Sequence, residues 1–298
     1  MKIELTPSGV EAIDSSLGGL VADDITLVCG PPRAGKTVLG LNHIVWLLQQ
    51  NMPVMLATTD LPETLIDMCD RFFEFDVRPA IERKHLTLLT LAPNFANRLR
   101  SLGTVARAFE EMGMLCAERS VRHVVFDTID PVLAAITVTN VKRFIQEALA
   151  GVKHMNTTLL CMSRAEGDAA LTMGVQELAG RVSTTLEMRP GRLIVRHADW
   201  SGMAGSGVNI QLVAGRGVVS TGQASADEID DANLTTQPPS SSTPTLSPVA
   251  GVVAGRWNNQ VNTLVADGGA AVLGDAGAAR PDPMQQVVFS GGGGGGGG

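Results

Sequence analysis

The stretch that constrains this chain most is Gly30, Pro31, Pro32, Arg33, Ala34, Gly35, Lys36 and Thr37. Its two glycines, lysine and hydroxyl residue stand at the spacing G-x-x-x-x-G-K-[ST], which a backbone cradle for phosphate requires. Glycine lets the chain bend until several N–H groups point at one phosphate, with no Cβ in the way. A lysine there sets mobile positive charge beside the β and γ phosphates, and the hydroxyl offers an oxygen to Mg²⁺. A helix that follows turns its positive N-terminal end to the same anion.

The flanks agree with that pattern. Ile25 to Cys29 is a continuous apolar run, as a buried parallel strand should be. Val38, Leu41, Ile44, Val45 and Leu48 then recur at helical spacing as far as Gln50. Strand, glycine loop and helix follow in the order that phosphate binding needs. A nucleoside triphosphate site is expected over Gly30, Pro31, Pro32, Arg33, Ala34, Gly35, Lys36, Thr37 and Val38, with Lys36 also in a catalytic place.

Charge and cysteine usage narrow the class. Of the formal net charge of −7, most lies beyond Gly222, where seven acidic residues face two basic ones. The rest is close to neutral, which argues against a general polyanion binder. Cys29, Cys69, Cys116 and Cys161 form no C-x-x-C pair and read as reduced packing residues, so a zinc site is not expected. Met1 to Glu4 begins no signal peptide, and no apolar run reaches membrane-spanning length, so the expectation is a cytoplasmic protein.

Ahead of the loop, Val10, Ile13 and Leu17 are spaced for a short helix that Gly18 and Gly19 end. Gly9, Val10, Ile13, Asp14, Leu17, Gly18, Gly19 and Leu20, then a short spacer, a strand and a phosphate loop, resemble the opening of the KaiC/RadA-type ATPases of the RecA superfamily. The resemblance extends with falling precision to about Ser220. It implies an α/β fold: a RecA-type core with a mostly parallel sheet, helices on both faces and an antiparallel C-terminal extension. The residue pattern supports this reading. Strands are expected at 53–58, 85–91, 121–127 and 157–163, and helices at 62–74, 98–119 and 141–153. From Arg181 short strands are divided by glycine-rich turns, with Pro190 and Gly191 at a hairpin.

The expected domain division is a RecA/KaiC-like unit over 1–222 and a low-complexity Ser/Pro/Gly/Ala-rich acidic tail over 223–298. The tail lacks the apolar content to offset its ordering entropy and is expected to be disordered. Met284 to Ser290 reads as a docking peptide or an incidental apolar cluster.

Asp127, at the end of a buried strand, is the expected Mg²⁺ partner together with Thr37; the competing reading is an N-cap for the turn at Thr128 to Asp130. Asp60 has two readings. By resemblance it stands where the family keeps a glutamate base beside a second acid, but it is one methylene shorter and has Thr59 as its neighbour. The other reading is an N-cap of the next helix, with Glu63 completing part of a capping box. By the same resemblance Ser163 is a γ-phosphate sensor. Arg196 matches the lysine of a trans-acting Lys-x-Arg, while Ala198 stands in place of its arginine.

Loops at 129–140 and 164–174 would carry single-stranded nucleic acid by resemblance. Together they contain one basic residue, Arg164, and no aromatic residue. Phosphate contacts and stacking are both thin, so nucleic acid is not an expected partner. The sequence thus points to ATP and Mg²⁺ as ligands, and to a slowly hydrolysing KaiC-like regulatory ATPase. By resemblance it assembles as a homo-oligomer, with a protein partner besides. The alternatives are a hydrolysis-deficient nucleotide-responsive scaffold and, behind it, a RadA-like DNA recombination or repair ATPase.

Overall fold

The computed structural model describes residues 3–91, 105–134, 140–164, 167, 169–198, 200–224 and 270–273. The chain opens with β1 (Leu5–Thr6), α1 (Glu11–Leu17) and β2 (Leu20–Val21), and then β3 (Ile25–Cys29) leads into α2 (Lys36–Gln49). Next come β4 (Val54–Thr58), α3 (Pro62–Phe73), α4 (Arg78–Glu82), β5 (Leu86–Leu91) and α5 (Val105–Glu118). β6 (His123–Asp127), α6 (Asp130–Ala134), α7 (Val141–Met155), β7 (Thr158–Ser163) and α8 (Ala169–Ala179) follow. The hairpin strands β8 (Thr184–Arg189), β9 (Arg192–Ala198), β10 (Gly207–Val213) and β11 (Gly217–Gln223) precede a last short strand, β12 (Ala270–Leu273).

One ten-stranded sheet runs β11-β10-β9-β8-β3-β7-β6-β4-β5-β12. From β8 to β12 every pairing is parallel, and β8 through β11 pair antiparallel. The mostly parallel sheet with an antiparallel side is therefore the architecture expected from the sequence. β3, β4, β6 and β7 are buried along their whole length, which is why they read as mostly apolar runs.

Side chains alternate between two cores. Leu27, Met55, Phe126 and Leu159 face α5, α7 and α8, while Val28, Leu56, Val125 and Leu160 face α1 to α4. On α2, Leu39, Ile44 and Leu47 are fully buried. Each contributes about 1.5–3 kcal/mol relative to an exposed position. The N-terminal segment locks onto this helix. Asp14 accepts from Ser8 N, Ser8 Oγ and Gly9 N at 2.6–3.0 Å, and Asn42 Nδ2 donates to Gly9 O at 3.1 Å.

Several elements differ from the sequence reading. The 164–174 stretch is a loop only at its start, because α8 begins at Ala169 and buries Leu171, Val175 and Leu178 at helical spacing. The expected helix at 98–119 is described from Val105, and Leu102 lies outside the described residues. In the tail, residues 225–269 and 274–298 also lie outside them, the Met284–Ser290 run included. Ala270–Leu273, expected to hold no lasting structure, pairs parallel with β5 from Leu88 to Leu91. An open sheet edge offers unpaired N–H and C=O groups to any short apolar segment that reaches it.

Candidate nucleotide site

The glycine loop joins the C-terminal end of β3 to the start of α2. Two glycines there have no substitute. A Cβ on Gly30 would lie 2.0 Å from Met188 O, and Gly35 has φ 100° with Met188 Cε 2.9 Å from its Cβ position. β8 thus presses on the loop from the side. Gly35 caps α2 without any side-chain hydrogen bond, so the first-turn N–H groups of this helix keep their donor capacity for an anion. Pro31, Pro32 and Arg33 form the exposed lip of the loop, while Ala34 and Val38 are buried beneath it. Lys36 is buried, and its Nζ donates to Gly30 O and Pro31 O at 2.8 Å each. Burial pulls the Lys36 ammonium below the usual lysine range, against Asp130 and Asp127, which hold it up.

Asp127 ends β6 close to this loop. Burial drives its carboxyl up to about 6, a shift opposed by a hydrogen bond from Thr37 and by the charge of Lys36, and reinforced by Asp60 and Asp130. Asp127 Oδ2 is buried and has no hydrogen-bond partner among the described residues. An orphaned carboxylate oxygen beside the Thr37 hydroxyl is a donor set suited to Mg²⁺, a hard cation that takes oxygen ligands. The N-cap reading of Asp127 does not hold. Thr128 Oγ1 accepts from Asp130 N at 3.2 Å at the start of α6, which leaves the Asp127 side chain out of the turn.

Asp60 is exposed in the loop after β4, and it is near enough to add like charge to Asp127. Its competing role as a helix cap is overturned. α3 begins at Pro62, its N-cap is Leu61, and no side chain caps it. Proline at the first helical position needs no N–H partner, which removes much of the reason for a capping carboxylate. Asp60 N instead donates to Thr58 Oγ1 at 3.0 Å.

One residue of this site escaped the sequence reading except as a turn former. Asp130 is buried, only 2 % exposed, and its carboxylate gathers three groups from the end of β7. Ser163 Oγ donates to Oδ1 at 2.6 Å, Arg164 N donates to the same oxygen at 3.3 Å, and Arg164 Nε donates to Oδ2 at 2.8 Å. Ser163 is the Cα partner of Cys29, so Arg164 follows the strand position that flanks the start of the glycine loop.

A KaiC ATPase family profile matches residues 6–211. The chain belongs to the KaiC ATPase family. The match spans the N-terminal lock, the glycine loop, the parallel strands from β3 to β8 and most of the antiparallel extension, but not β12. The family is a P-loop ATPase family of the RecA superfamily, so an ATP-binding ATPase domain is the function that membership carries. No curated protein matches the chain.

The KaiC-type extension holds the residues considered for action in trans. Arg196 is exposed on β9 and donates through Nε to Glu187 Oε2, while Arg189 Nε donates to Glu187 Oε1 at 2.5 Å. Burial raises the Glu187 carboxyl, but the hydrogen bonds and charges of the two arginines outweigh it and hold the group below the ordinary range. Ala198, in the place of the family's arginine, is 4 % exposed and packs in the core. The four cysteines are free and buried, and burial pushes the Cys29 thiol up to about 12, so they pack rather than react. Among the described residues no cluster of three His, Cys, Asp or Glu forms a further metal site, and no helix is long and apolar enough to cross a membrane.

Proposed function

We propose that this KaiC-family domain, over 1–222, binds Mg-ATP at Gly30 to Val38, hydrolyses it slowly and works as a self-assembling regulatory ATPase. The observation that carries the metal is Asp127 Oδ2, buried beside Thr37 without a partner among the described residues. In this reading Thr37 and Asp127 would hold Mg²⁺, directly or through water, and the ion would supply neutralisation of charge on the phosphate oxygens. Lys36 exchanges its two carbonyl acceptors for phosphate oxygens, and the N-terminal N–H groups of α2 take the others. Asp60 is the acceptor that orients the attacking water. Its short side chain and the absence of a second acid at Thr59 argue for a low rate. Self-assembly is supported by family membership, and a second copy together with a further protein is the expected partner set.

A nucleotide-responsive scaffold without turnover is the second reading. It is favoured by Ala198, whose place in the core leaves no room for a trans-acting arginine, and by the pairing of Arg196 with Glu187. Single-turnover phosphate release by the full chain separates the two, with Lys36→Ala as background. A rate above that background supports the ATPase. A rate equal to it, with ATP still bound, supports the scaffold. Stimulation by single-stranded DNA would favour the recombination-type reading instead.

A further inference from the structure

The strand end that carries Ser163 holds its functional groups in an unusual distribution. A serine hydroxyl has one proton to give, and Ser163 gives it to Asp130 Oδ1 at 2.6 Å. It has no proton left to donate to a phosphate while that bond stands. The neighbouring Arg164 differs. Its backbone N–H and Nε are both tied to Asp130, and among the described residues its two Nη groups carry no hydrogen bond. Its side chain is 56 % exposed while that of Asp130 is 3 % exposed, so a buried carboxylate anchors the root of an outward-facing guanidinium.

Position adds the second observation. Ser163 is in register with Cys29, the last residue before the glycine loop, and the charge of Arg164 is felt at Lys36. Two cations converging on one place repel each other unless an anion separates them. Asp130 and Asp127 supply part of that anionic charge, and both are felt by Lys36. A guanidinium held at Nε presents its remaining N–H groups as a planar fork, a geometry that suits the oxygens of a terminal phosphate.

The geometry points to Arg164 as a cis-acting reader of the γ-phosphate, with Asp130 as the positioning residue that holds it. This rests on the Mg-ATP reading of the site given above. Arg164 supplies from within the chain the cation that Ala198 does not supply to a neighbour, and it makes the third phosphate the feature that the domain distinguishes. Without the γ-phosphate, Arg164 stays paired with Asp130 and contributes nothing to affinity. With it, the same side chain bridges Asp130 and the phosphate, so β7 and the start of α6 receive the difference between triphosphate and diphosphate.

The test is the ratio of affinities for a non-hydrolysable ATP analogue and for ADP. It is measured with Mg²⁺ on the full chain for the parent, Arg164→Ala, Arg164→Lys, Asp130→Asn, the Arg164→Ala/Asp130→Asn double variant and Lys36→Ala. The expectation is that Arg164→Ala loses roughly 10–100-fold in analogue affinity, the value of one charge-assisted contact, with ADP affinity unchanged. Arg164→Lys recovers part of the ratio. Asp130→Asn keeps an acceptor for Ser163 but loses the ion pair, so it reduces the ratio, and the double variant falls no further than Arg164→Ala. Equal losses for both nucleotides in Arg164→Ala, or no loss, overturn the inference alone. So does a lowered thermal midpoint with an unchanged ratio, which marks the ion pair as structural. Arg164 is exposed, so its variants report even where Asp130→Asn folds poorly. If the parent binds neither nucleotide in a Lys36-dependent way, the site reading falls and this inference falls with it.

Discussion

Ser163 Oγ and Asp130 Oδ1 meet at 2.6 Å, tying the last residue of β7 to the first residue of α6. The same junction is stitched twice more, by Thr128 Oγ1 to Met162 O at 2.8 Å and by Ile129 N to Met162 O at 2.9 Å. The turn after β6 therefore moves with β7 as one frame. That frame carries Asp127 on one side and Arg164 on the other. Anything that alters the charge between them acts on both strand ends together.

Replacing Asp127 with asparagine should separate stability from binding. The carboxylate is buried with one oxygen unpartnered among the described residues, so its charge costs stability at neutral pH. Asp127→Asn should raise the unfolding free energy of the nucleotide-free protein by on the order of 1–3 kcal/mol. It should also abolish the dependence of ATP affinity on Mg²⁺. Denaturant titration paired with calorimetry checks both. A less stable variant that keeps its Mg²⁺ dependence contradicts the metal assignment.

A buried histidine pair sets the acid limit of the fold. His43 Nδ1 donates to Ser8 O at 2.6 Å, and its ring meets His123 edge-on at 5.2 Å. Burial lowers His43 to about 3, helped by His123 and opposed by the Ser8 bond; burial lowers His123 to about 4, opposed by Asp23. The unfolded chain takes up these protons near pH 6.5 and the folded chain does not, so stability is full above that pH and falls as pH drops towards 4. Each histidine adds up to about 1.4 kcal/mol per pH unit to the slope. His43→Asn, which keeps a donor for Ser8, should flatten the thermal midpoint against pH between 6.5 and 4.5. An unchanged slope would count against the pair.

Most of the fold was legible because β3, β4, β6 and β7 are buried on both faces and leave mostly apolar runs in the sequence. The glycine loop was legible because its backbone geometry excludes side chains at Gly30 and Gly35. Asp130 was not legible in the same way. Its partners lie 33 and 34 residues away, and nothing local marks an acid after a strand as a holder of arginine. α8 was hidden because the family resemblance made its first turns part of a loop, although Leu171, Val175 and Leu178 already carried the helical period. β1 and β2, of two residues each, are too short for any periodicity.

Asp60 is tested by turnover rather than by stability. With Leu61 as the N-cap and no side-chain cap, Asp60→Asn should leave the thermal midpoint unchanged. If Asp60 orients the water, the variant should keep ATP affinity and lose roughly 10²–10⁴-fold in phosphate release. Asp60→Glu, with the longer reach, should raise the rate above the parent. Equal rates in all three proteins, above the Lys36→Ala background, would remove Asp60 from the mechanism.

Truncation after Ala224 should leave ATP affinity within about twofold, because β12 borders β5 at the far side of β4 and β6 from the loop. The exposed edge of β5 should make the shortened protein more prone to self-association. Binding and light scattering on the same preparation check this. Loss of ATP affinity would place part of the tail against the site.

The most direct measurement is the equilibrium affinity of the full chain for ATP, with and without Mg²⁺, in the parent and in Lys36→Ala. Lys36 is placed to move from Gly30 O and Pro31 O to phosphate oxygens, a charge-assisted contact of about 1.5–3 kcal/mol. Mg²⁺-dependent binding by the parent is expected, with a loss of at least about tenfold in the variant. Equal affinity in the two proteins would contradict the Mg-ATP reading.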